Sequence, residues 1–103
     1  MDSLPQRVEY VIDITQDLWC FQGHFANQPI LPGVYQVRNL VLQRARLTWP
    51  DLQHLVRVSR LKFKRPIRPG ERLQVRLELA DRRVAFEIFS GEAICSSGWL
   101  WFE

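Results

Sequence analysis

Arg72-Leu73-Gln74-Val75-Arg76-Leu77-Glu78-Leu79 alternates without a break, with Leu73, Val75, Leu77 and Leu79 on one side and Arg72, Gln74, Arg76 and Glu78 on the other. A period of two belongs to a strand with one covered and one wet face, so this stretch decides for a sheet buried on a single side. Downstream, Ala80-Asp81-Arg82-Arg83 reads as a hairpin turn, after which Val84, Phe86 and Ile88 resume the alternation. Ser90-Gly91 leads into a last strand that ends in Gly98-Trp99-Leu100-Trp101-Phe102. Upstream, Leu55 to Lys64 reads as another strand. At the start of the chain, Val8, Tyr10, Ile12 and Ile14 alternate against Arg7, Glu9 and Asp13 in a first one.

Between that first strand and the others lie a non-periodic segment, TQDLWCFQGHFANQPILPG, and a helical pattern from Val34 to Leu47 closed by Trp49-Pro50. At about 100° per residue, Val34, Val37, Val41, Leu42 and Ala45 fall on one face, and Gln36, Asn39, Gln43 and Arg46 fall opposite. Arg38 lands inside the apolar face, between Ala45 and Leu42. An arginine there is costly unless it is paired or opens to a wet cavity. One strand, one helix and about four strands give an α+β architecture with the helix packed across one sheet face. At 103 residues the chain is expected to be one domain, 1–103, around one core.

With 47% hydrophobic and 24% charged residues, and no apolar run near the ~18 residues of a membrane span, disorder and membrane spanning are excluded. The opening MDSLPQ has an acid and no apolar core, unlike a secretory signal, so a cytoplasmic location is expected. Cys20 and Cys95 then read as buried small hydrophobes. His24 and His54 stand alone, and no metal-binding spacing occurs. The net charge is +3, concentrated in Arg57, Arg60, Lys62, Lys64, Arg65, Arg68 and Arg72, a stretch whose sole acid is Glu71. Such a cluster either meets an acidic partner or protects an exposed strand from edge-to-edge pairing. No nucleic-acid-binding module accompanies it. Trp99, Trp101 and Phe102 are expected in the core, at a subunit interface or along an acyl pocket.

His24 lies before the helix, flanked by Gly23, Phe21 and Phe25. It either caps a turn or acts as a base. Pro32-Gly33 leaves the first helical N–H groups unsatisfied at the positive end of the helix dipole, which suits a carbonyl oxygen gaining negative charge. A histidine base beside such donors is what proton removal next to a thioester carbonyl requires.

The segment Phe21-Gln22-Gly23-His24-Phe25-Ala26-Asn27-Gln28-Pro29-Ile30-Leu31-Pro32-Gly33-Val34 resembles the active-site pattern GHFPxxPxxPGV of the hot-dog-fold 3-hydroxyacyl-(acyl-carrier-protein) dehydratases. A second segment, Leu61-Lys62-Phe63-Lys64-Arg65-Pro66-Ile67-Arg68-Pro69-Gly70-Glu71-Arg72-Leu73, resembles their KFxxPVxPGDxL stretch. Together they cover about a third of the chain, and the PILPGVxQ wording is most similar to the small dehydratase-like proteins of aryl polyene pathways. The resemblance implies a curved sheet wrapped around one helix, in a homodimer or in a heterodimer with a related hot-dog subunit. It implies His24 as the base that removes the α-proton, the N–H of Gly33 or Val34 as the donor to the thioester carbonyl, and Phe21, Phe25 and Pro32 beside the substrate. No metal or redox cofactor is implied, because the substrate rides on the phosphopantetheine of an acyl carrier protein, which Lys62, Lys64, Arg65 and Arg68 are expected to receive. The family's catalytic acid, donated by the partner's helix, falls on Arg38, which cannot protonate a leaving hydroxyl. Arg38 therefore either binds an anion near His24 or pairs with an acid such as Glu87 or Asp17. A thioesterase on the same fold and a non-catalytic carrier-protein partner are the alternatives to a dehydratase.

Overall fold

The computed structural model describes residues 4–18, 21 and 30–103. Five strands, β1 (Arg7–Asp13), β2 (Leu55–Phe63), β3 (Arg72–Ala80), β4 (Arg83–Ser90) and β5 (Ala93–Phe102), form one antiparallel sheet in the order β1-β3-β4-β5-β2. The register places like with like. Tyr10 lies opposite Val75, Val75 opposite Ile88, Leu77 opposite Phe86, and Val84 opposite Leu100, so the alternation in the sequence becomes one continuous apolar face. The hot-dog fold is confirmed: the helix packs on that face, and Leu40, Val41 and Ala45 join Leu73, Val75, Leu77, Val84, Phe86, Ile88 and Leu100 in the buried core.

The helix is not uniform. It is α-helical over Gly33–Tyr35, π-helical over Gln36–Leu42 and α-helical again over Gln43–Thr48, and the Gln43 N–H donates to the Arg38 carbonyl five residues back. An i→i+5 bond adds a residue to the turn. Buried positions accordingly recur at intervals of five, Tyr35 and Gln36, then Leu40 and Val41, then Ala45. This overturns the face expected from a regular helix. Gln36, expected in solvent, is only 4% exposed, whereas Val34 is 62% exposed and Arg38, expected inside the apolar face, is exposed too. The Tyr10 hydroxyl donates to the Leu40 carbonyl within the π-helical stretch and ties it to β1. Burial pushes that hydroxyl up to about 12, against the opposing pull of the Arg44 guanidinium lying over the ring, so it remains a donor at neutral pH.

Two edges finish the sheet differently. At β1, Arg72 is bonded to Asp13 and Arg76 to Glu9 across the outer face, exposed pairs that add little stability each. At β2 the edge is open and bears the exposed side chains Val56, Val58, Leu61 and Phe63. Register shifts interrupt β2 between Leu55 and Arg57 and between Ser59 and Lys62, and Arg60 in the second bulge has a φ of 53°. Cys95 is buried as expected; Cys20 lies outside the described residues. Among the described residues no helix is long and apolar enough to cross a membrane.

The loop before β3 is knotted by Glu71. One carboxylate oxygen accepts from Arg65 Nη1 and Ser90 Oγ, each at 2.7 Å, and the other from the Arg68 N–H at 2.7 Å. Burial alone would raise the carboxyl, yet these three donors outweigh it and hold it below its ordinary 4.5. A depressed carboxylate stabilises the fold fully above its ordinary value, and the contribution fades as pH falls through the lower folded value. Glu71→Gln is expected to cost on the order of 1–2 kcal/mol in urea unfolding at pH 7. The gap between variant and parent should close in acid below the carboxylate range. A gap that persists there unchanged would show that the charge is not what binds the loop.

Candidate functional site

The N-terminus of the helix is built by backbone constraints. Pro32 is the N-cap residue, at φ −62° and ψ 146°, and no side chain caps the end. Among the described residues the N–H groups of Gly33 and Val34 have no acceptor, and they lie at the positive pole of the helix. Leu31 is buried, and its N–H donates to the Ile67 carbonyl at 2.7 Å, which lashes this turn to the segment between β2 and β3. The two motif segments of the sequence thus meet in space.

Where they meet, a groove of about 400 Å³ is lined by Ile30, Pro32, Gly33, Gln36, Phe63, Lys64 and Pro66, among others. The Phe63 ring stands against the helix start so closely that a Cβ on Gly33 would lie 2.7 Å from its Cζ atom. A larger residue at 33 would require the half-exposed Phe63 ring to shift. Beneath, Gln36 Nε2 donates to the Leu31 carbonyl at 3.1 Å, and Ser96 Oγ donates to Gln36 Oε1 at 2.7 Å. Gln36 and Ser96 are the two buried polar residues among those described.

Arg38 does not pair as anticipated. Glu87 is engaged by Arg76, the Asp17 carboxylate accepts the Thr15 hydroxyl, and among the described residues Arg38 makes no ion pair. The widened turn points it away from its own sheet. Val34, one turn earlier, shares that exposure, and so does Leu47 near the helix end. Both lie on the same molecule as the open edge of β2.

Of the other expected site residues, Pro32 lines the groove, while Phe21 is in the buried core beside the Leu18 carbonyl that its N–H contacts. His24 and Phe25 lie outside the described residues. The basic stretch divides. Arg65 is committed to Glu71 and Arg72 to Asp13. Lys62 lies opposite Ser97 on the outer face, and Lys64 donates its backbone N–H to the Cys95 carbonyl while lining the groove. Neither lysine has an acid partner among the described residues, nor does the Arg68 side chain. Arg57, Arg60 and Arg83 lie over the rings of Trp101 and Trp99 at 4.1 to 4.8 Å. Those two tryptophans therefore floor the outer face, not the core, and only Phe102 enters the core. Sequence reasoning missed Gln36, Ser96 and Phe63. A polar residue in the second helical turn was read on a regular helix, and nothing in its neighbours announces the wider turn.

Comparison with known proteins adds the following. A family profile described as ApeI-like, ApeI dehydratase, matches residues 1–99. The chain is 31% identical, over 90% of its length and 78% of the relative's, to the 3-hydroxyacyl-[acyl-carrier-protein] dehydratase FabZ of Mannheimia succiniciproducens. It is 35% identical, with the same coverage, to FabZ of Histophilus somni strain 2336. Among solved structures it superposes on the dehydratase heterocomplex ApeI:P from Xenorhabdus doucetiae with a TM-score of 0.87 and 24% identity, covering 98% of this chain and 91% of that one. An uncharacterized protein from Erwinia carotovora subsp. atroseptica matches with a TM-score of 0.80 and 27% identity, over 99% and 88% of the two chains.

Proposed function

Because the chain belongs to the ApeI-like dehydratase family, we propose that it is one subunit of an enzyme that dehydrates 3-hydroxyacyl thioesters, its site completed by a second hot-dog subunit. The observation that carries this reading is the pair of N–H groups at Gly33 and Val34, without acceptors among the described residues, at the helix start beside an apolar groove. In the proposed reaction the His24 imidazole takes the α-proton, and the charge that moves onto the thioester oxygen is met by those N–H groups. The 3-hydroxyl leaves as water once it is protonated, which yields the enoyl thioester.

The proton for the leaving hydroxyl has no source at position 38 of this chain. A carboxylic acid on a related partner subunit supplies it. The exposed Arg38 and Val34 on the helix, with the apolar edge of β2, are surfaces such a partner would cover. Lys62, Lys64 and the Arg68 side chain, without acid partners among the described residues, are left to meet the acidic surface and the phosphate of an acyl carrier protein in a fatty-acid or polyene pathway.

The test of the chemistry is enoyl-thioester absorbance with a 3-hydroxybutyryl thioester. The chain alone is expected to be slow, Arg38→Glu should raise the rate by about 10²-fold or more, and His24→Ala added to it should abolish turnover. Thiol release without enoyl product would replace the dehydratase by a thioesterase. Inertness of both proteins, with carrier protein still bound, would leave a non-catalytic partner. The assembly is tested by light scattering at micromolar concentration, where about twice the 12.2 kDa of the chain is expected. A clean monomer that nonetheless turns over substrate would end the shared-site reading. For the docking face, exchanging Lys62, Lys64 and Arg68 together for glutamate should weaken carrier-protein binding at least about tenfold and remove its salt dependence, with the circular dichroism spectrum unchanged. Undiminished binding would reduce the cluster to edge protection.

A further inference from the structure

We infer that Gln36 is a positioning residue that aims the Gly33 N–H at the thioester oxygen, an inference that rests on the acyl-thioester site proposed above. Gln36 holds two successive carbonyls. Its backbone N–H donates to the Pro32 carbonyl at 3.1 Å, and its side-chain Nε2 donates to the Leu31 carbonyl at 3.1 Å. The Pro32 carbonyl and the Gly33 N–H belong to one planar peptide and point in opposite directions, so a hold on the first orients the second. Between the Leu31 carbonyl and that peptide, the proline ring locks φ and only ψ of Pro32 is soft. With both carbonyls held, that remaining rotation is closed, and the N–H direction is set before any substrate arrives.

A packing role does not account for this arrangement. Gln36 at 4% exposure and Ser96 at 0% bring two polar groups into a core otherwise made of apolar side chains, which is unfavourable unless every group is bonded. Each is bonded, in one direction: Ser96 Oγ donates to Gln36 Oε1, and Gln36 Nε2 donates onward to the Leu31 carbonyl, so β5 anchors the turn through the amide. Among the described residues the relay ends at the residue before Pro32. It runs through Gln36, the first residue of the π-helical stretch, which faces inward. Preorganised donors gain most where reorientation would otherwise accompany charge development.

The decisive measurement is the carbonyl stretch of bound crotonyl-pantetheine carrying ¹³C at the thioester carbon, recorded by infrared difference spectroscopy at saturating probe. In the parent protein the band should move to lower wavenumber relative to free probe. Gln36→Leu should lose about half of that shift or more, and Ser96→Ala, which removes only the anchoring hydroxyl and keeps the glutamine, should lose part of it. If Gln36→Leu does not fold, Ser96→Ala decides alone. A shift unchanged in the folded variants overturns the inference, and so does weaker binding with the shift intact, which is what a packing role produces. No shift in the parent protein overturns the acyl-thioester site itself, a failure distinct from that of Gln36.

Discussion

The bond from the Gln43 N–H to the Arg38 carbonyl lengthens one helical turn by a residue, and the arrangement of the site depends on that length. On a regular helix set by the apolar pattern of the sequence, Gln36 would face solvent and the Arg38 guanidinium would lie between Ala45 and Leu42. With the extra residue the amide goes in, where Ser96 and the Leu31 carbonyl satisfy it, and the charge goes out. Wider turns of this kind are rare. Tyr10 braces the stretch from the side by donating to the Leu40 carbonyl, and burial pushes its hydroxyl above the ordinary value.

The sheet was readable because a period of two has no intermediate setting: Leu73, Val75, Leu77 and Leu79 either all face the core or all leave it. Leu73, Val75 and Leu77 are fully buried in register with β4, and Leu79 packs against them. The helix was readable in its existence and extent, since the expected Val34 to Leu47 differs by one residue at each end from what forms. Its face was not. A single added residue rotates everything after it, and the residues that absorb the change, Gln36 to Leu42, have ordinary helix propensities. Of the three places open to the tryptophans, the core of the subunit is not the one taken: Trp99 and Trp101 sit half-buried on the polar side of β5, under Arg57, Arg60 and Arg83.

The site shows the same division. Pro32-Gly33 could be read as a bare helix start, and the structure places it uncapped at the groove. The second motif segment could be matched but not understood from its letters: the Phe63 ring lies against position 33, and Glu71 engages the Arg65 guanidinium within the fold. Charge counting treats every arginine of the stretch alike, whereas geometry assigns two of them to carboxylates within the fold and leaves the lysines uncommitted.

The broken register of β2 bears on how many copies can associate. An unpaired apolar edge is a template that any extended chain can copy, and a straight one propagates into fibres. The irregularities at Val56 and around Arg60 cut the nine residues of β2 into short regular pieces and twist them apart, the second with a residue in left-handed backbone. Only a partner whose own edge carries matching breaks can follow it over its length. The irregularity therefore leaves this edge a poor template for open-ended strand addition.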